Sequence, residues 1–120
     1  KNADRFGLFA LARQVSELVE KAEKRTLTLE EIQEGTFSIT NYGAVGAASG
    51  LPIIKHPEAA ILGIGRITKK PLVQADQIAI GHILPVTLVF DHRFIDGGTA
   101  GRFLSRLKYF LEDPQRLLLG

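Results

Sequence analysis

Apolar residues recur at steps of three and four from Leu8 to Ala22. Leu8, Leu11, Ala12, Val15, Leu18, Val19 and Ala22 share one side of the wheel, with Arg13, Glu17, Glu20 and Lys21 elsewhere. That period predicts an amphipathic helix over residues 8–24. Thr28-Leu29-Glu30-Glu31 then has the form of a capping box, in which the Thr28 hydroxyl accepts from an early backbone N–H and Glu31 reaches back to the cap. It predicts a short second helix closed by Gly35. At Thr36 the period changes from helical to alternating, and Thr36-Phe37-Ser38-Ile39-Thr40, rich in β-branched and aromatic residues, reads as a strand. A loop follows, hinged at Gly43, Gly46 and Gly50, with Pro52 beyond it. Ala59 to Ile67 reads as a strand buried on both faces at its start, where Gly63 and Gly65 admit another backbone closely. Pro71 to Gln77 reads as a hairpin-type connection, and Ile78 to Phe90 as one long strand bent around Gly81 to Pro85. Ala100, Phe103, Leu104, Leu107, Phe110 and Leu111 trace the stripe of a final helix that Asp113-Pro114 ends. An apolar tail, Leu117-Leu118-Leu119, follows.

The order ααβββα, with strands too close together for helical crossovers, predicts an α+β fold with helices packed on a mixed, largely antiparallel sheet. There is no repeat, low-complexity tract or linker, so the pattern reads as one unit. The 120 residues suffice for one domain of ordinary size with a real core. At 45% hydrophobic and 23% charged, the composition is that of a soluble globular protein. With no Cys, the chain offers no disulfide, thiolate metal site or cysteine nucleophile, which suits a reducing compartment. The formal charge is only +2, and the basic residues are scattered apart from Arg66, Lys69 and Lys70, which argues against a nucleic-acid partner. No apolar run approaches the roughly 18–20 residues that span a bilayer, so no membrane partner is expected. A chain that opens Lys1-Asn2 and contains no Met is expected to be a processed product or a piece of a longer one.

The common catalytic signatures are missing: there is no G-x-S-x-G, no H-E-x-x-H and no phosphate-binding G-x-x-x-x-G-K-[ST]. Gly63-Ile64-Gly65 is a fragment of a dinucleotide fingerprint set within a strand. Chemistry concentrates instead in Asp91-His92-Arg93-Phe94-Ile95-Asp96-Gly97-Gly98, between the last strand and the final helix. One reading is a charged turn in which Asp91 and Arg93 form a surface pair and Asp96 caps the helix. The other makes His92 a general base, since an imidazole can take a proton from a thiol or hydroxyl near neutral pH and return it. His56 precedes Pro57 in a loop and His82 lies inside a strand, so both read as structural or exposed.

Four segments carry a family resemblance. Asp91-His92-Arg93-Phe94-Ile95-Asp96-Gly97 matches the D-H-R-x-x-D-G motif of dihydrolipoamide acyltransferases, the E2 components of 2-oxo acid dehydrogenase complexes. Gly35-Thr36-Phe37-Ser38-Ile39-Thr40-Asn41-Tyr42-Gly43 resembles their G-T-F-[ST]-[IVL]-[ST]-N-x-G segment. Pro52-Ile53-Ile54 and Pro57-Glu58-Ala59-Ala60-Ile61-Leu62-Gly63 follow the family's P-[IV]-[IV] and P-E-x-A-I-L-G. Lys1-Asn2-Ala3-Asp4 resembles a run midway through the family's catalytic domain. The order and spacing hold across the chain.

The resemblance implies a chloramphenicol acetyltransferase-like two-layer sandwich, of which residues 1–120 are the C-terminal part, without the lipoyl and peripheral-subunit-binding domains. It implies acyl transfer between a dihydrolipoyl thiol and coenzyme A. His92 would deprotonate the thiol, Thr40 would hold the oxyanion, and Asp96 would hold the loop and orient His92. Supporting roles fall to Asp91 and Arg93 as an ion pair and to Asn41 on the strand. Coenzyme A is then a substrate, the lipoyl group is carried on a separate domain, and no metal is needed. The implied partners are a homotrimer built into a larger E2 core, with each site shared between two subunits, together with the E1 and E3 components and the lipoyl domain. The apolar tail would suit a contact between trimers. The implied setting is bacterial or archaeal cytoplasm, or the mitochondrial matrix in a eukaryote. Acetyl, succinyl and branched-chain transferases share these motifs. The alternatives are a small-molecule O-acetyltransferase of the chloramphenicol type and a non-catalytic core scaffold.

Overall fold

The computed structural model describes residues 1–119. The chain divides where the hydrophobic period changes: Lys1–Gly35 forms one compact unit and the chain from Thr36 onward a second. In the first, α1 (Leu8–Glu23) and α2 (Leu29–Ile32) are the two helices that the pattern predicts. The capping box forms as read, with the Thr28 hydroxyl accepting from the Glu31 N–H at 3.3 Å and the Glu31 carboxylate accepting from the Thr28 N–H at 2.9 Å. The helix stops at Ile32, short of Gly35, because Gln33 already has extended backbone. Lys21 pairs with Glu31 and so ties the two helices together, and Lys1 Nζ lies 2.9 Å from Glu34 Oε2. The apolar stripe of α1 remains open, with Val15 59% and Val19 51% exposed.

The second unit holds β1 (Ser38–Asn41), β2 (Ala60–Ile64), β3 (Thr68–Gln74), β4 (Gln77–Ile83), β5 (Val86–Phe90), α3 (Gly97–Glu112) and α4 (Gln115–Leu119). One sheet has the order β1-β2-β5, with β1 parallel and β5 antiparallel to the central β2. Ala60, Ile61 and Leu62 of β2 and Ala100 of α3 are buried. Burial of a residue the size of Ile or Leu is worth about 1.5–3 kcal/mol, which is why the two-sided apolar run takes the central position. Alternation along β1 aims Phe37 and Thr40 at opposite faces. Phe37 packs against Phe103 of α3, ring centroids 5.9 Å apart, so Thr40 faces away from that helix. Between the sheet and α3 lies an apolar cleft of about 260 Å³ bounded by Phe37, Ala60, Leu88, Ile95, Ala100 and Phe103.

The region from residue 68 to 90 departs from expectation. Thr68–Gln74 is itself a strand, and β3 and β4 form a two-stranded sheet of their own. Ala75 and Asp76 turn it with φ of 48° and 61°, the backbone of a tight hairpin that Gly or Asn ordinarily marks. The hairpin expected over Pro71 to Gln77 is thus present, but its turn is confined to these two residues and the chain before it is a strand. The expected single strand from Ile78 to Phe90 is divided at Leu84-Pro85, because proline has no N–H to continue a ladder. The Pro85 carbonyl accepts instead from the Gly65 N–H at 2.8 Å, which starts β5 in the other sheet. The loop after β1 returns to β2, with the Arg66 N–H donating to the Ala47 carbonyl at 3.1 Å. A methyl group on Gly43 would lie 2.7 Å from the Gly65 carbonyl oxygen, and one on Gly65 would collide with the Ala48 carbonyl. Gly65, one residue past β2, thus admits backbone closely as expected, whereas Gly63 makes room for side chains, the Tyr42 ring and Pro52, rather than for backbone.

Candidate active site

The ladder between β2 and β5 runs one residue past its last strand pair, as the Asp91 N–H donates to the Ala59 carbonyl at 2.8 Å. The chain then turns sharply. The Phe94 and Ile95 N–H groups both donate to the Asp91 carbonyl, at 3.1 and 3.0 Å. This leaves His92, Arg93 and Phe94 exposed and returns Ile95 to the cleft beneath α3. The turn is locked from both sides. Arg93 donates to the Asp91 carboxylate from its backbone N–H at 2.9 Å and from its guanidinium at 3.0 Å (Nε) and 2.6 Å (Nη2). The guanidinium and the N–H hold the Asp91 carboxyl well below the usual carboxylate range, at about 2. On the far side Asp96 caps α3, its Oδ1 accepting from the Thr99 N–H at 2.6 Å. That N–H, the Thr99 hydroxyl, the Gly98 N–H and the charge of His92 together lower the Asp96 carboxyl.

His92 is therefore presented by a rigid loop between two committed carboxylates. Its ring lies against Phe90, centroids 5.6 Å apart, a supporting contact that the motif did not reveal. Period-two alternation along β5 was the available signal, since it puts residues 90 and 92 on one side. Asn41 ends β1 and its Oδ1 accepts from the Ala44 N–H at 3.1 Å, capping the turn that follows.

Thr40 is elsewhere. It pairs with Gly63 on β2, and Gly63 pairs with Thr87 on β5. His92 lies five residues beyond Thr87 and two strands across. At a rise of ~3.3 Å per residue and a strand spacing of ~4.8 Å, Thr40 and His92 of one chain are separated by about 19 Å. The fold thus joins Asp91, His92, Arg93 and Asp96 in one loop and leaves Thr40 and Asn41 at the other end of the sheet. An exposed imidazole on such a loop can exchange a proton with a thiol brought from outside. Among the described residues there is no group of three His, Asp or Glu placed to hold a metal ion, and no helix long and apolar enough to cross a membrane.

Residues 1–119 match the family model for the 2-oxoacid dehydrogenases acyltransferase (catalytic domain). The dihydrolipoyllysine-residue acetyltransferase component of the pyruvate dehydrogenase complex of Acholeplasma laidlawii is 50% identical over 120 residues, covering 100% of this chain and 22% of the relative. Its counterpart from Staphylococcus epidermidis is 42% identical over 119 residues, 99% of this chain and 28% of the relative. Among solved structures, the dihydrolipoamide acetyltransferase of Azotobacter vinelandii superposes with a TM-score of 0.91 at 36% identity, over 98% of this chain and 49% of that one. That protein was studied for the role of one serine, one histidine and one asparagine in its catalytic mechanism. The cubic core of a pyruvate dehydrogenase multienzyme complex gives a TM-score of 0.90 at 35% identity, over 98% of this chain and 48% of that one. The present chain spans about half the length of these solved chains and less than a third of the curated relatives.

Proposed function

This chain belongs to the 2-oxoacid dehydrogenases acyltransferase (catalytic domain) family, and from that premise we propose that it carries the acyl-transfer residues of a 2-oxo acid dehydrogenase complex. In this reading residues 1–120 are the C-terminal part of the catalytic domain. The reaction moves an acyl group, acetyl by the names of its relatives, between a dihydrolipoyl thiol and coenzyme A. The observation that carries the reading is the exposed His92 on its double-locked loop.

A free thiol has a pKa near ~8.5, so an imidazole base is well matched to it. His92 takes the thiol proton as the thiolate attacks the thioester carbonyl. A new C–S bond forms, and the carbonyl oxygen becomes an oxyanion. Collapse of that intermediate breaks the old C–S bond, and the departing thiolate takes the proton back from the His92 imidazolium. The chain needs no nucleophile of its own, and with no Cys it has no thiol to offer.

The oxyanion donor in this reading is the Thr40 hydroxyl, but not the one in the same chain. At about 19 Å apart, Thr40 and His92 cannot serve one carbonyl, so a second copy supplies the threonine. The spacing of Thr40, His92 and Asp96 equals that of the serine, histidine and asparagine studied in the Azotobacter vinelandii enzyme. It supports all three roles, with Asp96 holding the loop by its cap. The proposed assembly is a trimer within a larger core that meets the E1 and E3 components and lipoyl domains.

The test uses the full-length enzyme with acyl-coenzyme A and either dihydrolipoamide or chloramphenicol as acceptor. Transfer to dihydrolipoamide, falling by ~10²–10⁴ in His92→Ala, is the expected result. Transfer to the hydroxyl acceptor alone would overturn the reading, as would an undiminished rate in His92→Ala.

A further inference from the structure

Thr40 is half-buried and belongs to no side-chain hydrogen bond among those of the described residues, although an oxyanion donor must hold its hydroxyl in one direction. The residue two positions on occupies the neighbouring space on the same face. Thr40 and Tyr42 leave the same side of the backbone. The Tyr42 N–H donates to the Ile64 carbonyl at 2.8 Å, which keeps the chain against β2 through that position.

The Tyr42 ring then lies over two glycines. A methyl group on Gly63, the register partner of Thr40, would come within 2.8 Å of Tyr42 Cε2 and 3.4 Å of the Pro52 ring. A methyl group on Gly50 would lie 2.8 Å from both Cε2 and Cζ of the same ring. Neither glycine has a positive φ, so backbone conformation does not call for glycine at these positions. What both provide is room for the ring. The aromatic edge occupies the place where a Cβ on Gly63 would sit, directly beside Thr40 in the register.

We propose that Tyr42, seated in the slot formed by Gly50 and Gly63, is a positioning residue that holds the Thr40 side chain in the rotamer able to donate to the oxyanion. This rests on the oxyanion role given to Thr40 above. A ring fixed against backbone on two sides is a firm wall. Thr40 has three staggered alternatives, which turn the hydroxyl, the methyl or the hydrogen toward a given side, and a wall on one side selects among them. The hydroxyl of Tyr42 is not needed for this; its flat ring is.

The experiment is a double-mutant cycle in the full-length, assembled enzyme, with kcat and KM measured separately. Tyr42→Ala is expected to lower kcat by about tenfold with KM changed less than about twofold, and Tyr42→Phe to keep the native rate. In a Thr40→Ala background, Tyr42→Ala should cost no more than about a further twofold, since there is no hydroxyl left to orient. Tyr42→Leu, which keeps apolar volume without a flat ring, carries the same cycle if the alanine variant does not assemble. An equal loss in both backgrounds would mean a general structural role and overturn the proposal, and an unchanged kcat in Tyr42→Ala would do the same. Thr40→Ala alone reads the underlying assignment separately. If it leaves kcat intact, the oxyanion role fails and the positioning role fails with it; if it lowers kcat while the cycle is additive, only the positioning role fails.

Discussion

Mixing two inactive variants should restore activity. Thr40 and His92 lie about 19 Å apart by strand rise and spacing, on the register that joins Thr40 to Gly63 and Gly63 to Thr87. In the proposed reading each working site therefore takes its imidazole from one copy and its hydroxyl from a neighbour. Thr40→Ala alone should retain ~10⁻²–10⁻³ of native turnover, the usual cost of one oxyanion donor. His92→Ala alone should retain ~10⁻²–10⁻⁴, the usual cost of a general base. When equal amounts of the two are co-assembled at random, about one site in four joins the intact His92 of one variant to the intact Thr40 of the other. The mixture should thus reach about a quarter of native activity, at least ~25-fold above either parent. The assay is acyl transfer from acyl-coenzyme A to dihydrolipoamide, on full-length chains unfolded and refolded together, with mixed assemblies verified by native mass spectrometry. Activity no greater than the average of the parents, in verified mixed assemblies, would show that each site is completed within one chain and would refute the argument from register.

Two further outcomes follow from the loop and the glycine contacts. The folded-state pKa of Asp91 is depressed, so the Asp91–Arg93 pair is intact above the ordinary carboxylate value of 3.8 and is lost only as pH falls through about 2. A carboxyl carbon NMR titration of Asp91 should show that low midpoint and move upward in Arg93→Ala; an ordinary midpoint in the native protein would contradict the bidentate pair. Substitution of two glycines by alanine should have opposite signs in chemical denaturation. Gly65→Ala drives a methyl group into the Ala48 carbonyl and should destabilise by at least ~1–3 kcal/mol. Gly101→Ala, in the second turn of α3, meets nothing within 4 Å and should stabilise by ~0.5–1 kcal/mol. Equal effects at the two positions would argue against the close approach of the loop to β2.

What was legible in the chain was whatever depends on local period. The stripe from Leu8 to Ala22 identified α1, the Thr28–Glu31 pair identified the start of α2, and the run at Ala60 identified the central strand. A hairpin was legible between Pro71 and Gln77, but not that its turn is only Ala75-Asp76 with a strand on either side, because two non-glycine residues adopt positive φ there. Ile80 and Ile78 point outward, 78% and 82% exposed, so their hydrophobicity marks no core within the described residues. The division at Leu84-Pro85 was equally hidden, since Pro85 reads as a bend in one strand as easily as a passage between two sheets. For the site, the motif brought together the residues that are neighbours in sequence, Asp91 through Asp96, and their hydrogen bonds are local chemistry between positions two to four apart. The distance between Thr40 and His92 is a different kind of fact. It follows from strand order and direction, β1 parallel to β2 and β5 antiparallel. Those directions put the end of β1 and the end of β5 at opposite edges of the same sheet. A reversed β5 would have brought Thr40 and His92 to the same end with every motif unchanged. In the observed topology, the two residues can meet at one carbonyl only when the sheet of one copy ends where that of the next begins.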